Sequence, residues 1–143
     1  MPHDLRSLSH KWFDEVWNNR SAAAIDQLAA ADALIHGLSE DGQPARGTTL
    51  FKQFWKSFLS AFPDLKITVD DVLLEGDKTA IRISFGGTHT GDGIGIPPTK
   101  RRFDSTAIII VQWRDGKIAE SWNEFDAAGM MRQLQNPAAQ LRP

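Results

Sequence analysis

Carboxylates near the end of the chain could supply acid–base chemistry. Asp126 ends a predicted strand, KIAESWNEFD, where it follows Phe125. A carboxylate that is partly removed from water has a raised pKa and can act as a base near neutral pH. Strict alternation along this strand places one set of residues on a single face: Ile118, Glu120, Trp122, Glu124 and Asp126. Such a face is typical either of a solvated strand or of a polar cavity wall.

His89 is the second residue suited to this chemistry. It lies in GTHTGDGIGIPPTKRR, between two threonines and close to glycines whose backbone groups could fix its tautomer. A histidine at a strand end is more often structural than catalytic, and both interpretations stay open. His36, in ALIHG, has a weaker context of the same kind. The spacing of the histidines and the absence of cysteine predict no metal site, and no cofactor is expected.

The glycines after His89 do not form a nucleotide-binding loop. The dinucleotide motif needs G-x-G-x-x-G at the start of a helix, whereas this chain has G-x-G-x-G followed by two prolines at 97–98. The cations at 100–102 form a small cluster, and the net charge of the chain is −2. Nucleic acid is therefore not an expected partner.

Arg82 stands between apolar residues in AIRISF. An arginine in this position is either exposed on the sheet or paired with a carboxylate inside a pocket. The chain has no tyrosine but five tryptophans and eight phenylalanines. Apolar aromatic surface of this kind suits a core or a pocket for a hydrophobic ligand.

The first half of the chain should be helical and the second half should form strands. Apolar residues recur at helical spacing in LSHKWFDEVW and again from Thr48 to Ala61, where Phe51 and Trp55 lie along one line. Ser21 is the expected N-cap of a short helix between them. Four segments rich in Ile, Val and Thr follow, with tight turns at 76–77 and 115–116, and a short helix, AAGMMRQLQ, closes the pattern.

Helices followed by antiparallel strands indicate an α+β fold. We expect helices packed on a strongly curved, mostly antiparallel sheet that encloses a pocket. The length of 143 residues fits one domain spanning 1–143, with 135–143 expected to fray. No apolar run is long enough for a membrane span, and the N-terminal residues do not have the pattern of a signal peptide. With no cysteine in addition, the expected location is the cytoplasm and no membrane partner is predicted.

Several motifs together resemble one family. The segments AFPDL, EGD, GTHTG, GIPPT and DGKI, followed by E, W and D in order, are similar to those of the SnoaL-like polyketide cyclases, or ester cyclases, of the NTF2-like superfamily. The resemblance spans roughly Leu8 to Leu134. One departure is Lys100, which stands where the family usually has glycine after PPT.

The resemblance implies a cone-shaped α+β fold and a cofactor-free intramolecular aldol condensation on a hydrophobic carbonyl substrate. Asp126 matches the family's acid–base aspartate, and His89 matches a histidine expected to hydrogen-bond the substrate carbonyl or enolate. The residues expected to bind the substrate or shape its pocket are His36, Phe51, Trp55, Arg82, Trp122 and Asn123. A homodimer or higher homo-oligomer is expected on the same grounds.

Other functions of this fold remain open at this point. An epoxide hydrolase would place Arg82 between two carboxylates, for which Asp126 and Asp104 are available. Some relatives assist hydroxylation, and others bind small ligands without catalysis. Mechanisms that rely on tyrosine hydroxyls are disfavoured because the chain has none.

Overall fold

Six strands form a single sheet in the computed structural model, which describes residues 3–39 and 41–135. The strands are β1 (Ala29–His36), β2 (Ala45–Arg46), β3 (Lys66–Glu75), β4 (Lys78–Thr88), β5 (Arg102–Arg114) and β6 (Lys117–Phe125). The helices are α1 (Leu5–Lys11), which continues into a π-helical segment (Trp12–Asn18), α2 (Ala22–Leu28), α3 (Thr48–Ala61) and α4 (Ala127–Gln135).

The strand order is β2-β1-β6-β5-β4-β3, and the sheet is not closed into a barrel. Neighbouring strands are antiparallel except β1 and β6, which are parallel. The turns at 76–77 and 115–116 join β3 to β4 and β5 to β6, as the sequence predicts. The α+β class and the mostly antiparallel sheet are thus confirmed.

The helices begin and end largely where local chemistry predicts. The Ser21 side chain accepts a hydrogen bond from the Ala24 amide and so caps α2. The third helix spans the predicted Thr48–Ala61, and its buried aromatic residues pack against the inner face of the sheet. Leu28 ends α2 because Ala29 and Ala30 already belong to β1, which is longer than the ALIHG segment suggested.

The first amphipathic segment is not one regular α-helix. After α1 the chain widens into the π-helical segment, in which the Asn19 amide donates to the Asp14 carbonyl at 2.8 Å. Hydrogen bonds across five residues bring Trp12 and Trp17 onto neighbouring turns, and both rings border the same cavity. Trp12 and Trp17 therefore contribute to the same wall of the cavity.

A β-bulge in β6 overturns the alternation expected from the sequence. Trp113 pairs with Ile118, but Gln112 pairs with Glu120, so Ala119 is an extra residue in β6. The extra residue shifts the register, and Ile118 faces inward together with Ser121, Asn123 and Phe125 rather than with the acidic residues. The prediction that Ile118 shares a face with Glu120, Trp122 and Glu124 was wrong for this reason.

The central strand β5 has two different faces. Ile109 is buried, whereas Ile108 and Ile110 are 53% and 41% exposed on the outer face of the sheet. The AIIIV segment is central, as its apolar character predicts. Its outer isoleucines nevertheless have no cover from the described residues of this chain, because the helices all pack on the inner face.

The loop between β4 and β5 lies against the C-terminal half of α3. The Gly91 amide donates to the Ala61 carbonyl at 3.2 Å. A Cβ at Gly91 would lie 1.9 Å from the Ser60 carbonyl oxygen, so only glycine allows this approach. The loop is therefore fixed against the helix by backbone contacts.

Among the described residues, no helix is long and apolar enough to cross a membrane. Gln135 is the last residue of α4, and the rest of the tail expected to fray, 136–143, lies outside the described residues.

Candidate active-site cavity

A cavity of about 90 Å³ lies between the inner face of the sheet and the helices. Its walls come from α3, the π-helical segment and five of the strands, and most of its lining side chains are apolar. The lining residues are Trp12, Phe13, Trp17, Ala29, Ala33, Ile35, Leu38, Thr48, Phe51, Phe54, Phe58, Leu65, Ile67, Ile83, Phe85, Ala107, Ile109, Val111, Ile118, Ser121, Asn123 and Phe125. This arrangement suits a hydrophobic ligand held by a few placed polar groups.

Among the described residues, three polar side chains line the cavity. They are Thr48, at the start of α3, and Ser121 and Asn123 on the inner face of β6. Ser121 is buried, whereas Thr48 and Asn123 are half-buried. No ionisable side chain is among the lining residues. Any acid–base group must therefore act from the rim.

Asn123 is held in one orientation by the backbone of β1. Its Nδ2 donates to the His36 carbonyl at 2.9 Å and to Ser121 Oγ at 3.2 Å. The chain leaves β1 through Gly37, where a Cβ would lie 1.9 Å from the Asn123 carbonyl oxygen. Close packing and two hydrogen bonds therefore fix this side chain at the cavity wall.

Asp126 directly precedes α4, and its carboxylate is more exposed to water than the sequence suggests. Its Oδ1 accepts a hydrogen bond from the Gly129 amide at 2.8 Å, so the carboxylate caps this helix. The side chain is 64% exposed, and its other oxygen lies 4.0 Å from Arg132 Nη2. Asp126 does not line the cavity, but it directly follows Phe125, which does.

His89 is fully buried behind the cavity. Nδ1 accepts a hydrogen bond from the Thr99 amide at 3.1 Å, which places the ring proton on Nε2. Nε2 has no hydrogen-bond partner among the described residues. Burial lowers the pKa of His89, because it penalises the imidazolium form, and the nearby Asp92 offsets this only in part. The ring is therefore held neutral with a free N–H donor.

Aromatic rings separate His89 from the cavity. The ring centroid of Phe62 lies 5.5 Å from that of His89 and 4.7 Å from that of Phe103. Phe62 in turn lies 5.0 Å from Phe58, which lines the cavity, whereas Phe62 and Phe103 do not. A ligand in the cavity as it stands does not reach His89.

The two residues predicted to be catalytic follow the C-terminal ends of β6 and β4, which point toward the same end of the sheet, but they do not contact each other. Phe125, next to Asp126, pairs with Ala107, whereas the His89 amide donates to the carbonyl of Arg101. Six positions along the same chain segment separate Ala107 from Arg101, which corresponds to roughly 20 Å of extended strand. The structure does not bring them together as a contacting pair.

His36 and Trp122 lie on the outer face of the sheet. The His36 ring stacks on Trp122 with centroids 5.4 Å apart, and its Nε2 lies 2.7 Å from Glu120 Oε2. Lys78 Nζ lies 5.4 Å from the centroid of the Trp122 ring. His36 thus adjoins the cavity only through its backbone carbonyl, which holds Asn123.

The three remaining predicted site residues lie in three different places: at the cavity wall, behind that wall and on the outer face of the sheet. Phe51 lines the cavity. Trp55 is buried and donates from Nε1 to the Val16 carbonyl at 2.8 Å, which ties α3 to the π-helical segment. Arg82 is exposed on the outer face with its Nη1 3.8 Å from Asp70 Oδ2, so it does not form the arginine–carboxylate arrangement of an epoxide hydrolase inside the cavity.

The sequence reasoning missed Ser121 and Thr48 as lining residues. Ser121 shares the inner face of β6 with Asn123, but a serine within a strand carries no sequence signal of its own. Thr48 was seen only as the start of a helix.

Comparison with known proteins agrees with this geometry. The model of the SnoaL-like polyketide cyclase family matches residues 8–134. The aklanonic acid methyl ester cyclase DnrD of Streptomyces peucetius is 26% identical over 125 residues, which cover 86% of each chain. The nogalonic acid methyl ester cyclase of Streptomyces nogalater is 39% identical over 51 residues, a match that covers 36% of this chain and 38% of that one.

Solved structures give the same result. IdmH of Streptomyces antibioticus, proposed to be a polyketide cyclase, superposes with a TM-score of 0.80 at 31% identity, covering 92% of this chain and 99% of that one. AclR of Streptomyces galilaeus, proposed to be a hydroxylase, superposes with a TM-score of 0.76 at 25% identity, covering 90% of this chain and 79% of that one. The fold, the cavity and the family match together show that this chain belongs to the SnoaL-like polyketide cyclase family.

Proposed function

We propose that the chain is a cofactor-independent cyclase that closes a ring in a hydrophobic ester substrate by intramolecular aldol condensation. The observation that carries this proposal is the cavity, whose walls are apolar except for three uncharged polar side chains. The ester cyclases of Streptomyces peucetius and Streptomyces nogalater that are similar to this chain support the reaction class. The cytoplasmic location stays a prediction.

In this reaction a base removes a proton from a carbon that lies between two carbonyl groups. The resulting carbanion attacks a ketone of the same molecule, forming one carbon–carbon bond, and the new alkoxide takes up a proton. Because the proton lost is regained, no oxidant or reductant is consumed. A C–H between two carbonyls is acidic enough for a carboxylate base, so one such group at the rim meets the requirement.

We assign the base to Asp126. It is the carboxylate that directly follows Phe125 at the cavity wall, and α4 fixes its position through the Gly129 amide. The same carboxyl group returns the proton to the alkoxide. His89 enters the proposal as a hydrogen-bond donor to a substrate carbonyl remote from the carbon that Asp126 deprotonates, because its Nε2–H is free. That role requires the Phe62 ring to turn aside, since it lies between His89 and the cavity.

The substrate must also displace side chains at the mouth of the cavity. A volume of about 90 Å³ is small beside the cavities that hold drug-sized ligands. Trp12, Phe54 and Phe125 line the cavity but are only half-buried, so their rings are the ones able to move outward. Phe51 and Asn123 then contact the substrate directly, and Trp55 and His36 support them from behind.

The outer face of the sheet is proposed to pair with a second copy of the chain. Ile108 and Ile110 are exposed along its centre. Register places the cations Lys78 and Arg82 on the β4 side of these residues and the anions Glu120 and Glu124 on the β6 side. A two-fold axis along β5 would bring cations of one copy against anions of the other, so the face is self-complementary. Arg82 and Trp122 then belong to the dimer contact.

Replacement of Asp126 by Asn tests the catalytic assignment. Asparagine caps helices about as well as aspartate, so Asp126→Asn should keep α4 and the thermal midpoint while removing the base. We expect turnover of aklanonic acid methyl ester, followed by chromatography of the cyclised product, to fall by two or more orders of magnitude, within the usual contribution of a general base.

Glu124→Gln is the matched control, because it removes a carboxylate two residues away on the outer face. Its turnover should stay within about twofold of the parent. A parent protein that binds the ester without converting it would identify a binding module instead. Full activity of Asp126→Asn in a folded protein would overturn the assignment of the base.

A further inference from the structure

The polar groups on the inner face of β6 have a defined hydrogen-bonding polarity. Both amide hydrogens of Asn123 are engaged, one with the His36 carbonyl and one with Ser121 Oγ. A backbone carbonyl can only accept, so the amide cannot be turned round without losing this bond. The polar atom that remains for a ligand is Oδ1, which has no partner among the described residues.

Ser121 has the opposite character. Its Oγ accepts from Asn123 Nδ2, and the hydroxyl hydrogen has no acceptor among the residues described. The side chain is buried and lines the cavity. Because a hydroxyl donates one hydrogen bond, the group that Ser121 offers to a ligand is a donor.

A fixed acceptor and a donor therefore lie side by side in an otherwise apolar wall. They share the Asn123 amide, which orders both of them before a ligand arrives. Unpaired polar groups in a desolvated site discriminate strongly between ligands that do and do not pair with them. The third polar residue, Thr48, lies on another element at the start of α3 and is not part of this pair.

We propose that Ser121 and Asn123 select a substrate that carries a hydroxyl or enol group and a carbonyl group close together on an apolar skeleton. Asn123 Oδ1 accepts from the substrate hydroxyl or enol, and the Ser121 hydroxyl donates to the carbonyl oxygen. This deepens the proposed function and depends on the cavity being the substrate site. Ser121 and Asn123 act in recognition and not in proton transfer.

Four small ring compounds test the polarity directly. The first, 3-hydroxy-1-indanone, carries both groups; 3-methoxy-1-indanone lacks the hydroxyl donor; 1-indanone has only the carbonyl; and indane has neither. Binding is followed by quenching of tryptophan fluorescence, since Trp12 and Trp17 line the cavity. The parent protein should bind the hydroxyindanone about three- to tenfold more tightly than the methoxy compound, and 1-indanone more tightly than indane by a similar factor.

Two variants should separate the two preferences. Asn123→Leu should lose the preference for hydroxyl over methoxy but keep that for 1-indanone over indane. Ser121→Ala should show the reverse. Thr48→Val is the matched control, because it removes the remaining polar lining group and should leave both preferences within twofold. Thermal melting of each variant checks that the fold is kept.

The outcomes distinguish this inference from the function on which it rests. If none of the four compounds binds, the cavity is not a ligand site and both proposals fail. If all four bind the parent equally, the cavity assignment stands and the assigned polarity is overturned. The same holds if the preferences survive both substitutions in folded protein.

Discussion

At the residue scale, the two ring nitrogens of His89 have different surroundings. Nδ1 is committed to the Thr99 amide, and this bond closes the β4–β5 loop, while Nε2 remains free. A buried N–H without a partner costs free energy of roughly 1–3 kcal/mol. Unpaired polar groups of this kind are uncommon in folded proteins and are often linked to function. The roles of the two ring nitrogens can therefore be tested separately.

Asparagine and glutamine at position 89 distinguish the two roles. The Asn amide oxygen can occupy the place of Nδ1, and the Gln amide nitrogen can occupy the place of Nε2. If His89 donates to a substrate carbonyl, His89→Gln should keep more turnover than His89→Asn, by roughly tenfold. If it only holds the loop, His89→Asn should have the higher melting temperature and near-parental turnover. Turnover and thermal unfolding of both variants decide between these outcomes.

The sequence predicts that an aspartate, Asp126, follows the last strand, but not which groups contact its side chain. Its place after the last strand is evident from the pattern, whereas its role as the cap of α4 depends on the turn that follows. The face assignment of its strand failed because one extra residue, Ala119, reverses the alternation from that point. No pattern of polar and apolar residues reports such a bulge, since both registers bury one apolar set.

At the scale of elements, the regular helices and strands can be predicted from apolar periodicity, whereas the π-helical segment and the bulge in β6 cannot. The third helix and the β3–β6 strands follow directly from apolar spacing and turn residues. The π-helical segment at 12–18 does not, because its aromatic residues fit an α-helical stripe equally well. The π-helical segment and the bulged strand β6 both border the cavity, and irregular backbone geometry is often found next to functional sites.

The β4–β5 loop depends on a backbone contact at Gly91. Alanine there would place a Cβ 1.9 Å from the Ser60 carbonyl oxygen, so the loop or α3 must shift. We expect Gly91→Ala to lower the free energy of unfolding by about 2–3 kcal/mol, as strained or overpacked sites do. Chemical denaturation followed by tryptophan fluorescence measures this change.

Gly95→Ala is the control for this substitution. Gly95 has a φ of 84°, so alanine is strained there, but no atom lies within 4 Å of its added Cβ. It should cost about 1 kcal/mol, from backbone strain alone. Equal losses for the two variants would show that the loop does not depend on the contact with Ser60.

At the scale of the whole molecule, the outer face of the sheet is the proposed contact between two copies of the chain. The exposed isoleucines on β5 are flanked by cations on one side and anions on the other. Ile110→Lys should convert a dimer to monomer, because it places a charge at the centre of the contact. Sedimentation velocity measures the oligomeric state, and unchanged sedimentation would exclude this face as the interface.

A charge exchange provides the matched comparison. Arg82→Glu alone should weaken the dimer by placing anions against Glu124 of the second copy, and adding Glu124→Arg should restore it. Restoration is expected only if the two copies pair about an axis along β5. Overall class, the β3–β4 and β5–β6 hairpins and membership in the family can be anticipated from the sequence, whereas this arrangement of charges requires the register of the strands.

Side chains of α1 and of the π-helical segment bind the edge strand β3, and these contacts also protect the sheet from aggregation. Asn18 donates to the Ile67 carbonyl and accepts from the Ile67 amide, each at 2.8 Å, and Arg6 donates to the Val72 carbonyl at 2.6 Å. These contacts occupy backbone groups along β3, an edge strand, and the opposite edge, β2, is only two residues long. A strand of another chain could therefore not pair along the whole of β3 without displacing Asn18 and Arg6, which disfavours growth of the sheet into fibrils.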